Sequence, residues 1–109
     1  MEHQLNLSLT KINGVFIADT NYHSDARGVF ARLFCKNELA TALQGREIVQ
    51  VNFSVTKPCG AVRGVHFQYP PYGEMKFVRC VKGRVWDVVV DLRENSPTFM
   101  EWHAEELSQ

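Results

Sequence analysis

The clearest pattern in the chain runs from Ile48 to Thr56. Val49, Val51, Phe53 and Val55 alternate there with Gln50, Asn52, Ser54 and Thr56. A period of two is the mark of a β-strand with one apolar face. Pro58-Cys59-Gly60 breaks this segment, and Ala61 to Gln68 forms the next apolar run before Pro70-Pro71-Tyr72-Gly73. Met75–Val81 and Val85–Leu92 read as two further strands, with Lys82-Gly83-Arg84 as a short hairpin connection. Earlier, Gly14–Ile17 is a short apolar run, Asp25-Ala26-Arg27-Gly28 a turn, and Val29–Phe34 a strand. Later, Asn95-Ser96-Pro97-Thr98 is a turn and Phe99–Leu107 opens another strand. Helix is expected only over Lys36–Gln44, where Leu39 and Leu43 stand four apart and Gly45 can end it. Six or seven short strands with so little helix predict a β-sandwich or an antiparallel barrel. The neutral amides of Gln50 and Asn52 suit a barrel lumen as well as a solvated face.

At 109 residues and 45% apolar, the chain suits one domain with its own core. Twelve basic residues balance twelve acidic ones. Bulk electrostatic attraction to nucleic acid or to an anionic membrane is thereby excluded, although a local basic pocket is not. Met1 to Asn6 lacks a basic segment followed by an apolar run, so no secretory signal is expected. The longest apolar run, Val88-Val89-Val90, is far too short to span a bilayer as a helix. Cys35, Cys59 and Cys80 are odd in number and widely spaced, which fits reduced, mostly buried thiols in a cytosolic protein.

Candidate chemistry gathers between Arg63 and Lys76. His66 sits between Val65 and Phe67, where a lone histidine is ordinarily structural. Its company changes the reading: Arg63, Gln68 and Lys76 lie within fourteen positions. A base, two cations and an amide in one cavity suit an anionic substrate that loses a proton beside a carbonyl. The histidine would take the proton, the lysine would stabilise the enolate oxygen, and the arginine would hold a phosphate. Strict alternation puts Arg63 and His66 on opposite faces, so a bulge at Gly64 is required. A metal site is the chemical rival. Gln68 occupies the place of the second ligand in a His-x-His pair, and an amide is a poor transition-metal ligand. His3, His23 and His103 have no matching spacing. No cysteine sits beside a histidine, and there is no Gly-x-Ser-x-Gly elbow or Gly-rich phosphate loop. Asp87 and Asp91 alternate with apolar residues; either a hydrogen-bonding role at the barrel rim or, for Asp87, a place in the pocket fits.

Several segments together resemble the dTDP-4-dehydrorhamnose 3,5-epimerase family. They are Asp25-Ala26-Arg27-Gly28-Val29-Phe30, Gln50-Val51-Asn52-Phe53-Ser54, Arg63-Gly64-Val65-His66-Phe67-Gln68 and Lys76 to Gly83, followed by Asp87 to Arg93 and Ser96-Pro97-Thr98. The resemblance implies a single cupin-like jelly-roll domain over residues 1–109, incomplete or completed by dimerisation. It also implies a homodimer that needs neither metal nor organic cofactor. The family epimerises a 4-keto-6-deoxy sugar carried on dTDP. His66 matches its base and Lys76 the lysine near the C4 oxygen. Arg63 and Arg27 match diphosphate contacts, Arg27 reaching the partner subunit's site, and Gln50 and Asn52 match substrate contacts. Ala31-Arg32 and Glu74 depart from the pattern, which commonly has a glutamate and a glutamine there. Family enzymes continue past this end, and that part supplies a tyrosine acid and the aspartate partnering the histidine. A catalytic epimerase and a non-catalytic remnant binding a sugar nucleotide or a protein are therefore the two expectations.

Overall fold

The computed structural model describes residues 4–109. Met1, Glu2 and His3, on which part of the reading of the N-terminal start rests, lie outside the described residues. The described residues form three antiparallel two-stranded ribbons and one turn of helix.

β1 (Leu5–Leu9) pairs with β2 (Phe16–Thr20), Leu5 opposite Thr20 and Leu9 opposite Phe16. β1 was not among the expected strands, although Leu5, Leu7 and Leu9 alternate with Asn6 and Ser8. The loop between the two is closed by Thr10, whose Oγ1 accepts from Ile12 N–H at 3.2 Å and donates to Val15 O at 2.9 Å. β3 (Tyr22–Asp25) and β4 (Gly28–Ala31) form the hairpin whose turn the sequence marks, with Asp25 opposite Gly28. The Asp25 carboxylate accepts from Arg27 N–H at 2.8 Å, a local bond that favours the turn over continued strand. β4 stops at Ala31, short of the expected Phe34.

The helix α1 (Ala40–Leu43) is shorter than Lys36–Gln44. Residue Leu39 at its N-cap offers no side-chain oxygen to the free N–H groups, so the preceding residues form turns. Gln44, at φ 51°, is the left-handed C-cap, and Gly45 follows at φ 79°. Arg46 then satisfies two exposed carbonyls, donating to Leu43 O at 2.8 Å and Ala42 O at 3.0 Å. So short a helix must be held by packing. Leu39 and Leu43 bury themselves against Leu5, with Leu7 and Cys35 alongside. Each fully buried leucine contributes about 1.5–3 kcal/mol.

Glu38 fastens the same junction. Its carboxylate accepts from Gln4 N–H at 2.6 Å and from Arg32 Nη1 at 2.8 Å. These bonds, the Arg32 guanidinium first, hold its pKa down at about 2. Arg32, one of the departures from the family pattern, thus serves to tie β4 to the start of β1.

β5 (Arg84–Val90) pairs with β6 (Trp102–Ser108), Arg84 opposite Ser108 and Val90 opposite Trp102. Their connection is gathered on buried Asp91. Its carboxylate accepts from Arg93 Nε at 2.9 Å, Ser96 Oγ at 2.5 Å and Thr98 Oγ1 at 2.6 Å. The Arg93 guanidinium, then the two hydroxyls, hold Asp91 far below the usual carboxylate range. The Ser96-Pro97-Thr98 motif is therefore a structural fastening.

The largest correction concerns residues 46–83. None of Ile48–Thr56, Ala61–Gln68 or Met75–Val81 belongs to a ladder, and the expected hairpin through Lys82-Gly83-Arg84 does not form. β5 takes β6 as its partner instead. The alternation is real, but a strand exists only where another chain segment accepts its hydrogen bonds. Among the described residues no segment does so here. Val49 (88%), Phe53 (76%) and Val62 (91%) stand exposed. The three cysteines are free thiols; Cys80 is buried and Cys35 half-buried, but Cys59 is exposed, unlike the expectation of mostly buried thiols. No helix among the described residues is long and apolar enough to cross a membrane.

Candidate active site

Arg63, His66, Gln68 and Lys76 all lie on the unladdered stretch, at its exposed surface. Gly64, at φ +108°, supplies a backbone conformation that L side chains rarely adopt. A Cβ added there would meet His66 N and Nδ1, each at 3.5 Å. The imidazole thus lies against the glycine, as a re-aimed strand residue would require.

The described hydrogen bonds and ion pairs leave His66 and Arg63 without a partner, and Asp87 does not reach the histidine. Asp87 is half-buried on β5 opposite Glu105. The carboxylate that would orient the imidazole is therefore not found among the described residues, and a base without one is less well held.

Glu74 gathers two candidates. Its Oε1 lies 3.8 Å from Lys76 Nζ. With the Gln68 amide oriented to donate, Gln68 bonds Glu74 Oε1 at 3.1 Å and Tyr72 O at 3.2 Å. Gln68 and Lys76 are thus brought together through a residue not counted among the candidates. Spacing puts Glu74 two positions before the lysine but does not report its reach to Gln68. Phe67 and Tyr69 meet edge to face at 5.1 Å between ring centroids beside them.

The remaining candidates stand apart. Arg27 is spent on Asp25, 2.7 Å away, and that contact lowers the Asp25 pKa. Gln50 and Asn52 are exposed and unbonded among the described residues. A cleft of about 460 Å³ lies elsewhere, between the β1–β2 loop, the end of α1 and the end of β5. Its lining includes Ile12, Phe16, Arg46 and Arg93 but none of the candidates. No group of three or more His, Cys, Asp or Glu able to hold a metal occurs among the described residues.

Comparison with known proteins places this arrangement. A crystal structure of dTDP-4-dehydrorhamnose 3,5-epimerase from Bacillus anthracis, with TDP and PPi bound, superposes with a TM-score of 0.88 at 33% identity. The match covers 95% of this chain and 59% of that one. A 4-keto-6-deoxy sugar epimerase from the novobiocin gene cluster of Streptomyces spheroides gives 0.88 at 38% identity, over 99% of this chain and 54% of that one. The fold is thus that of the cupin-like sugar-nucleotide epimerases, with its barrel incomplete. The family model for dTDP-4-dehydrorhamnose 3,5-epimerase matches residues 9–109, and the chain belongs to that family. The dTDP-4-dehydrorhamnose 3,5-epimerase of Shigella flexneri is 40% identical over 105 residues, which are 95% of this chain and 58% of the relative. The chain spans about half the length of the curated relatives it matches.

Proposed function

We propose that residues 1–109 are one cupin-like epimerase domain acting on a dTDP-linked 4-keto-6-deoxy sugar, in rhamnose-type deoxysugar biosynthesis. The observation that carries this is the family match through residues 9–109, which includes His66 and Lys76. His66 removes the proton from the carbon beside the C4 ketone. The electron pair moves into the C4–O bond, and the Lys76 ammonium stabilises the enolate oxygen. Solvent water gives a proton to the other face of the same carbon, the electron pair returns from the C4–O bond, and His66 passes the proton it took to the hydroxide left behind, so atoms and charge balance. Arg63 holds the diphosphate bidentately, and Arg27 exchanges its Asp25 contact for the diphosphate in the partner subunit's site. Gln50, Asn52 and Gln68 contact the sugar nucleotide. This chemistry uses no metal and no organic cofactor. We place the protein in the cytoplasm as a homodimer, with neither nucleic acid nor membrane as partner.

One observation favours a second reading, a remnant that binds but does not turn over: His66 lacks a carboxylate partner among the described residues. A thermal-shift titration with dTDP separates binding from its absence, since a ligand of the folded state raises the midpoint. Both readings require a concentration-dependent rise that Arg63→Ala diminishes. No rise at millimolar dTDP contradicts both.

A further inference from the structure

The cleft of about 460 Å³ between the β1–β2 loop, the end of α1 and the end of β5 is of ligand-binding size. Its walls are fixed by bonds that need no occupant. On the first side Val15 N–H donates to Ile12 O at 3.1 Å, and Ile12 is buried. On the second, Arg46 N–H donates to Leu43 O at 3.0 Å. On the third, Arg93 Nε donates to the Asp91 carboxylate at 2.9 Å. The apolar part of the lining includes Ile12, Phe16, Ala42 and Val89.

The polar part of the lining carries two cations whose donors are only half used. A guanidinium has about five N–H donors in a planar fork. Arg46 spends Nε on Leu43 O and Nη2 on Ala42 O, and Arg93 spends Nε and Nη2 on Asp91. Nη1 of each arginine makes no hydrogen bond among the described residues. Arg93 Nη1 stands over Gly14, 4.0 Å from where a Cβ would be, so no side chain there screens it from the cleft. The side-chain amides of Asn13 and Gln44, also in the lining, make no hydrogen bond among the described residues. Asp91, the acid in the lining, has a side chain only 1% exposed and already accepts from Arg93, Ser96 and Thr98. Two arginines against one aspartate leave the lining with a single net positive charge. A monoanion balances that charge, and a planar carboxylate matches the geometry of a guanidinium fork.

We infer that this cleft binds a small organic carboxylate, its head between Arg46 and Arg93 and its apolar body along Phe16 and Val89. The site shares no residue with the proposed epimerase machinery, and its test needs no turnover. Phenylacetate is titrated into the nitrogen-15-labelled chain and amide shifts are read by NMR. Phenylacetamide serves as the uncharged isostere and phenyl phosphate as the more highly charged head. Saturable shifts are expected at 13–15, 44–46 and 89–93, with a Kd on the order of 1 mM for a ligand this small. Phenylacetamide should bind at least about tenfold more weakly, and added salt should weaken phenylacetate. Arg46→Gln is expected to cost about tenfold in phenylacetate affinity. Because Arg46 also satisfies the carbonyls at the end of α1, a second variant separates binding from folding. Asn13→Asp adds a negative charge at an exposed lining position and removes no hydrogen bond found among the described residues. It should weaken phenylacetate about fivefold with an unchanged urea midpoint. Shifts that do not saturate, or that fall outside the lining, overturn the inference. So does phenylacetamide binding as well as phenylacetate, or phenylacetate affinity that Asn13→Asp leaves unchanged. Tighter binding of phenyl phosphate overturns the assignment of a carboxylate.

Discussion

The Nδ1 edge of His66 lies against Gly64, where an added Cβ would stand 3.5 Å away. The same glycine has φ +108°, a conformation any L residue strains to hold. Gly64→Ala is therefore expected to turn the 63–66 backbone and displace the imidazole. No ladder resists that turn, so strain of about 1–2 kcal/mol is relieved locally rather than by global unfolding. The rate of solvent hydrogen exchange into substrate should fall about tenfold or more, with dTDP affinity and the urea midpoint little changed. A fall in dTDP affinity equal to the fall in rate would show that Gly64 does not act through His66.

Glu38 makes acid stability a local property. Its pKa is about 2, below the ordinary 4.5, because Arg32 and the start of β1 bond the ionised form. A depressed carboxylate contributes stability that is fully present above the unfolded-state value and lost as pH falls through the folded one. The wild type should therefore exceed Glu38→Gln in urea midpoint by a constant margin above pH 5. The margin should shrink between about pH 4.5 and 2 and disappear below. A margin that does not narrow on acidification contradicts the assigned contacts.

Glu74 places a negative charge 3.8 Å from Lys76, in a site expected to receive a diphosphate. Both side chains are exposed, so the pair adds little to stability. Glu74→Gln removes repulsion towards the substrate and releases the lysine charge. KM for the dTDP sugar should drop about fivefold, the factor for roughly 1 kcal/mol at 4 Å in water, with kcat changing less. The effect should weaken as salt is added. An increase in KM would mean that Glu74 helps by holding Lys76 and Gln68 in place.

Local signals in the sequence transferred well. The Asp25–Gly28 turn, the end of the helix at Gln44–Gly45 and the β5 strand depend on neighbours a few residues away, and each formed. Partnership did not transfer. Val49 to Val55 alternate as cleanly as any strand, yet alternation fixes a face and not a mate, and no mate lies among the described residues. Arg63 and His66 have no partner among the described residues, so of the Arg63–Lys76 candidates only the Gln68–Lys76 proximity, carried by residue types and spacing, was legible. Glu74 as the link between Gln68 and Lys76, and Asp91 as the fastening of the β5–β6 connection, were not. Both depend on side-chain reach across turns that spacing does not report.

The central claim is that His66 removes a proton beside the C4 ketone. It is tested most directly by incubating the chain with dTDP-4-keto-6-deoxyglucose in heavy water and reading deuterium at C3 and C5 by mass spectrometry and NMR. Deuterium is expected at one or both carbons with wild type, and background labelling with His66→Asn of unchanged far-ultraviolet circular dichroism. Background labelling with wild type, or equal labelling by the variant, would contradict it.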